Sequence, residues 1–173
     1  MIDALETLAG RADELRRAFD QSFAEPIAAA TGASADFVTV RLGDDPYALR
    51  LGDITGLFFD VKVTPCPGPI REMRGLAGFR GAILPVYDLP ALTGYPFTAA
   101  RPWLVTVAAA PLALAFDLFE GHIRLPRSAI AAARDNDGAA HVREIARDDG
   151  FAWPVIDIPG VVAAVKRRIE SPV

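Results

Sequence analysis

One pattern occurs twice in this chain and restricts the fold more than any other feature. Gly81-Ala82-Ile83-Leu84-Pro85-Val86-Tyr87-Asp88-Leu89-Pro90 is echoed by Gly150-Phe151-Ala152-Trp153-Pro154-Val155-Ile156-Asp157-Ile158-Pro159, an offset of 69 residues. In each copy glycine opens a short apolar run, Pro-Val sits within it, and Asp, an aliphatic residue and Pro close it. Such a run reads as a buried strand. Proline cannot donate to a sheet ladder, so Pro85 predicts an edge or bulged strand. Weaker echoes keep the same order along the chain. They are Val38-Thr39-Val40 with Val105-Thr106-Val107, Pro46-Tyr47-Ala48-Leu49 with Pro111-Leu112-Ala113-Leu114, Gly56 with Gly121, and Ile70-Arg71-Glu72-Met73 with Val142-Arg143-Glu144-Ile145. Collinear matches whose shifts vary as loop insertions would vary them indicate two related β-rich subdomains. The period is too long for a solenoid.

Length and apolar content agree with one compact pair of subdomains: 173 residues, 51% hydrophobic, enough to bury a core. Residues 2–25 form the one long helical pattern, with Leu5, Leu8, Ala12, Leu15 and Phe19 on one stripe and Pro26 closing it. That stripe either packs on the β core or serves self-association. Residues 1–35 are thus expected to be helix and linker. Residues 36–173 hold the duplicated domain, in subdomains of about 36–98 and 99–173. Phe37 to Leu42 alternates, Gly43-Asp44-Asp45-Pro46 turns, and Tyr47 to Leu51 returns. Ile54 to Phe59 is a further strand, and Thr64 to Pro69 must be a loop. Trp103–Ala108, Leu112–Phe116 and Phe119–Leu125 repeat the programme, Asp135 to Gly138 is a turn, and His141–Ile145 and Phe151–Ile158 complete it. A short helix over Val161–Ile169 ends the chain, with Lys166, Arg167 and Arg168 as a solvated basic end. Many short strands with Gly/Pro turns make an all-β chain of small barrels or a sandwich.

Charge and motifs exclude several functions. A net charge of −4 and a pI near 5.2 leave no footprint for nucleic acid or acidic lipid. Cys66 is the single cysteine, so no internal disulfide forms, as suits a reducing cytoplasm. The first twenty residues are charged throughout, unlike a signal peptide. The apolar stretch Leu104–Leu118 is broken by Pro111 and Asp117 and is too short for a membrane helix. Asp88 and Asp157 raise the idea of a two-lobed acid hydrolase, but neither is followed by the Ser/Thr-Gly turn such a dyad needs. They read as caps at strand ends. His122 and His141 lack partners at metal-ligand spacing. Gly75, Gly78 and Gly81 precede a strand rather than open a helix, so they are no dinucleotide fingerprint. The residues indicate a non-enzyme with no metal or cofactor. What remains is Arg80, a charge between Phe79 and the apolar strand. It is either a surface arginine or a recognition arginine of the kind enriched in interface hot spots.

The stretch from Arg74 to Leu89 resembles the signature of CheW-like domains, which runs Gly-apolar-apolar-Asn-Leu-Arg-Gly-x-apolar-x-Pro-apolar-apolar-Asp-Leu. Tyr47-Ala48-Leu49 with Leu51, Ile54 and Leu57, the proline loop at Thr64-Pro65 with Pro67, and Phe116-Asp117-Leu118-Phe119-Glu120-Gly121 extend the likeness over roughly Asp36 to Lys166. Gly78 stands for the family's Asn and Gly56 for its Glu. The resemblance implies two SH3-like five-stranded barrels around a shared core. It implies a cytoplasmic, non-catalytic adaptor in chemotaxis signal transduction, bridging a chemoreceptor's cytoplasmic tip and the regulatory domain of a CheA-type histidine kinase. By the same likeness Arg80 corresponds to a recognition arginine beside the receptor groove. Ile54, Gly56 and Leu57 line that region, and Phe119 and Gly121 face it. An alternative is a diverged adaptor that joins another signalling or motility complex through its N-terminal helix.

Overall fold

The computed structural model describes residues 33–97, 102–133 and 141–170. The helix expected over 2–25 and the turn at 135–138 lie outside these residues. Two sheets carry the described fold. β1 (Ser34–Leu42), β2 (Asp45–Arg50), β8 (Leu118–Pro126), β9 (Ile130–Ala132), β10 (Val142–Asp148) and β11 (Phe151–Ile156) pair in the order β8-β1-β2-β11-β10-β9. β3 (Ile54–Phe59), β4 (Met73–Phe79), β5 (Ala82–Asp88), β6 (Trp103–Val107) and β7 (Ala113–Phe116) pair in the order β3-β6-β7-β5-β4. One sheet therefore has six strands rather than the expected five.

The four strand pairs of the smaller sheet are each repeated in the larger one. Val38 faces Leu49 as Val105 faces Leu114. Thr39 faces Gly121 as Thr106 faces Gly56. Val155 runs parallel to Ala48 as Val86 does to Ala113. The β4–β5 and β10–β11 hairpins share one register at the 69-residue offset, Gly75 opposite Val86 and Glu144 opposite Val155, each with a bulge one step before. Arg74 is thus the counterpart of Arg143, and the sequence match that put Arg71 there is corrected by three residues.

The sheets do not follow a boundary near residue 98. β6 and β7 belong with β3, β4 and β5, whereas β1 and β2 belong with β8 to β11. Each half contributes its opening hairpin to the other half's sheet. The parallel pairs β2–β11 and β5–β7 make this possible, because parallel neighbours need a long crossover rather than a tight turn.

Pro85 does not mark an edge. β5 lies between β4 and β7, and the bulge falls on β4 between Met73 and Gly75. Pro85 faces Leu76, whose amide and carbonyl both bond Thr64 on the other side at 2.9 and 2.8 Å. The parallel pairing with β7 begins only at Val86. The missing N–H of Pro85 is therefore not needed, and Pro154 occupies the same place in β11. The Thr64–Leu76 bridge presses so closely that a Cβ on Gly75 (φ +142°) would overlap the Thr64 carbonyl. Glycine is required there.

Alternation distributes the apolar side chains over three clusters. Val38, Val40, Leu42 and Leu49 join Val105, Leu114, Phe116 and Ile156 in a core shared by both sheets. Phe37, Ala48, Leu125 and Val155 pack on the other face of the six-stranded sheet, and Phe79, Val86, Leu104 and Ala113 on that of the five-stranded one. The central strands are therefore buried on both faces. The C-terminal helix, Ile158–Glu170, starts three residues earlier than expected and adds Ile158, Val161, Val162 and Val165 to the shared core. Its amide at Val161 bonds the Asp157 carbonyl at 2.9 Å, and Pro159 is tolerated in the first turn. Arg168 is more than a solvated charge: it holds buried Glu72 at 2.9 Å. No helix among the described residues is long and apolar enough to cross a membrane.

Candidate docking surface

Arg80 occupies the two-residue turn between β4 and β5. Its φ is +47° and that of Gly81 +87°, the signs of a type I′ turn, whose twist matches the flanking strands. Asp149 and Gly150 make the same turn in the second hairpin at +39° and +86°. Phe79, buried immediately before the turn, packs edge-on against Phe58 with ring centroids 4.9 Å apart and anchors the hairpin tip. Arg80 itself is exposed and has no hydrogen bond or ion pair among the described residues. Ile83, three residues on, is 74% exposed.

The other five expected residues come from two edge strands. Ile54, Gly56 and Leu57 lie on β3, and Phe119 and Gly121 on β8. Ile54, Leu57 and Phe119 pack half-buried against the shared core. Trp103 joins the two strands, its ring 4.8 Å from Phe59 and 5.2 Å from Phe119. Gly56 and Gly121 are structural counterparts, each opposite a threonine. The Thr39 hydroxyl donates to the Gly121 carbonyl at 3.3 Å. Where the family has Glu, a Cβ at Gly56 would lie 2.6 Å from the Phe58 ring, so that ring takes the space. A Cβ at Gly78 would meet nothing within 4 Å. The structure thus packs Ile54, Leu57 and Phe119 half-buried against the shared core and sets Arg80 on an exposed hairpin tip.

Sequence reasoning missed Phe59, Trp103 and Ile83. Phe59 is 61% exposed although it ends an apolar strand. Trp103 follows the Pro96–Pro102 break, and an aromatic opening an edge-facing strand was the available signal.

The charged groups have structural tasks. Asp88, fully buried, accepts from Arg74 at 2.6 Å and from the Ala91 amide at 2.8 Å, capping the helical turn Leu89–Leu92. Asp157 accepts from Arg143 at 2.7 Å. Each carboxylate thus meets an arginine at a strand end, and Asp88 takes the capping role read from the sequence. Asp36 is held below the usual carboxylate range by its hydrogen bonds from Arg124, with His122 adding to them. Burial pushes Asp53 up, against the pull of Arg50. Burial and the Asp45 hydrogen bond push Tyr95 up. No group of three His, Cys, Asp or Glu able to hold a metal occurs among the described residues.

Comparisons with known proteins agree with this architecture. A crystal structure of the scaffolding protein TtCheW from Thermoanaerobacter tengcongensis superposes with a TM-score of 0.65 at 22% identity, covering 72% of this chain and 89% of that one. It is among 15 solved chains that match. No curated protein matches. The family model for the CheW-like domain matches residues 36–166, from β1 into the C-terminal helix, and the chain belongs to the CheW-like domain family.

Proposed function

We propose that this protein is a non-catalytic cytoplasmic scaffold that couples the cytoplasmic tip of a chemoreceptor to the regulatory domain of a CheA-type histidine kinase. Arg80, Ile54, Gly56, Leu57, Phe119 and Gly121 serve as docking residues. In this reading residues 1–35 are an N-terminal extension and residues 36–173 the coupling domain. One observation supports it most: Arg80 stands exposed and unpaired among the described residues on a turn fixed by its own geometry. A guanidinium spent on internal structure would have a carboxylate beside it, as Arg74 and Arg143 have. Arg80 instead offers its donors outward, next to the apolar Ile83. The half-buried side chains of Ile54, Leu57 and Phe119 supply apolar area of the kind that interface cores use.

Co-purification with receptor and kinase fragments from the native cell tests the proposal. Arg80→Glu should weaken association about 30-fold or more, as loss of a hot-spot residue does, while the melting temperature stays within a degree or so because nothing internal is lost. Full-strength binding by the variant refutes the role given to Arg80.

A further inference from the structure

The internal repeat places one ion pair twice and finishes only one copy. Arg74–Asp88 and Arg143–Asp157 occupy equivalent positions at the 69-residue offset. The Arg74 side chain is 11% exposed, and the ring of Phe97 covers its guanidinium with the carbon 5.0 Å from the ring centroid. The cause is local. The helix after Asp88 is one turn long, and the chain then returns through Gly94 (φ +102°), Tyr95 and Pro96 to bring Phe97 back over Arg74. After Asp157 the helix runs for 13 residues instead and makes no return. Arg143 is left 77% exposed, with no ring over it among the described residues. Beside it opens a cavity of about 410 Å³, walled by Arg50, Asp53, Arg143, Glu144, Ile156 and Asp157.

We propose that this cavity is a socket for an aromatic side chain of a partner protein, stacked on Arg143 as Phe97 is on Arg74 and carried next to a basic residue. The first lobe shows what the Arg–Asp motif accepts: a ring over the guanidinium face, a cation–π arrangement. The wall charges give the second requirement. Three carboxylates, Asp53, Glu144 and Asp157, outnumber the two guanidiniums of Arg50 and Arg143. Glu144 is engaged by Arg50, and Asp157 by Arg143. Asp53 feels the pull of Arg50 but has no ion pair of its own among the described residues, so it is the wall carboxylate left to meet an incoming cation. The socket does not involve Arg80, so it stands or falls independently of the receptor–kinase assignment.

The test uses the full chain, labelled with nitrogen-15, and three capped tripeptides: acetyl-Lys-Phe-Gly-amide, acetyl-Lys-Leu-Gly-amide and acetyl-Glu-Phe-Gly-amide. The first should give saturable shifts at the Arg143 Nε–H and at the amides of Ala132 and Ile156, which line the cavity. The leucine peptide should bind about two- to fivefold more weakly, the range of an exposed cation–π contact. The glutamate peptide should also bind more weakly than the lysine one, because its carboxylate meets those of the wall. Arg143→Lys keeps the charge and loses the planar face, and it should bring the phenylalanine peptide down to the leucine level. Arg80→Glu should change nothing. Absence of saturable shifts, shifts that map elsewhere, or equal affinity for the leucine and phenylalanine peptides overturns the socket. Phe19 and Phe23 are the aromatic residues outside the described part. Binding that emerges only in the Phe19→Ala, Phe23→Ala variant would show that the chain fills its own socket and would overturn a partner-borne ring.

Discussion

Arg74→Ala and Arg143→Ala delete the same group from the same motif, so they isolate the effect of burial on an ion pair. At the first site Asp88 has no exposed side-chain surface, and its other oxygen already serves the Ala91 amide. Removing Arg74 breaks an ion pair to a buried carboxylate, which costs about 3–5 kcal/mol. It also removes the seat under Phe97. At the second site Arg143 is 77% exposed and Asp157 15%, so water takes over much of the solvation. An exposed pair is worth about 0.2–1 kcal/mol. In a chain of this size each kcal/mol shifts the melting temperature by about 2–4 °C. The Arg74 variant should melt roughly 6–20 °C lower and the Arg143 variant no more than about 4 °C lower. Urea unfolding followed by the fluorescence of Trp103 and Trp153 gives both free energies, and an unchanged m-value shows that the comparison is sound. A double-mutant cycle with Asp88→Asn should recover most of the Arg74 loss as coupling energy. If the two single variants fall within about 0.5 kcal/mol of each other, the burial argument is refuted for this pair.

Gly75→Ala should destabilise by about 2 kcal/mol or more in the same assay, because φ is +142° and the new Cβ would meet the Thr64 carbonyl; a neutral variant would mean that the Thr64–Leu76 bridge is not formed. Restoring the family residues should split. Gly78→Asn enters open space and should stay within about 0.5 kcal/mol of the parent, whereas Gly56→Glu must expel the Phe58 ring from its place beside Phe79 and should cost about 1–3 kcal/mol. His141 is held below its ordinary value by burial, then by Arg168, with Arg167 and Arg143 adding and Asp157 opposing. The unfolded chain therefore binds that proton first, so stability should fall as pH drops below about 6.5. His141→Gln should flatten this slope in melts recorded across that range, and an unaltered slope would remove His141 as the cause.

Much of the fold could be read from residues alone because strands of this type print their faces on the sequence. Val38, Val40 and Leu42 alternate with Phe37, and the structure sends them to different clusters. The Pro-Val-x-Asp copies gave the two equivalent strands β5 and β11 and the capping Asp88. Pairing order was not legible. Nothing in Pro46–Leu49 says that it will run beside Val155 and Ile156 rather than beside its own half, since both partners are equally apolar. The role of Pro85 was misread for a related reason. Edge or interior depends on whether a second strand pairs with β5, and that strand, β7, lies far along the chain and joins only from Val86 onward.

The same limit explains the candidate sites. Arg80 could be singled out because a lone charge beside an apolar run is visible in one dimension. Phe59, Trp103 and Phe119 form a surface only after β3 and β8 become edges of different sheets, so no window of sequence holds them together. The Arg143 socket was further out of reach. Its meaning comes from comparison with Arg74, and the sequence pairing had aligned Arg143 with Arg71, which is almost fully solvated at 92% exposure. A three-residue error in register therefore concealed a motif that is conspicuous in space. What a duplicated chain leaves unfinished in one copy becomes visible only when the copies are matched by their ladder pairs rather than by residue similarity.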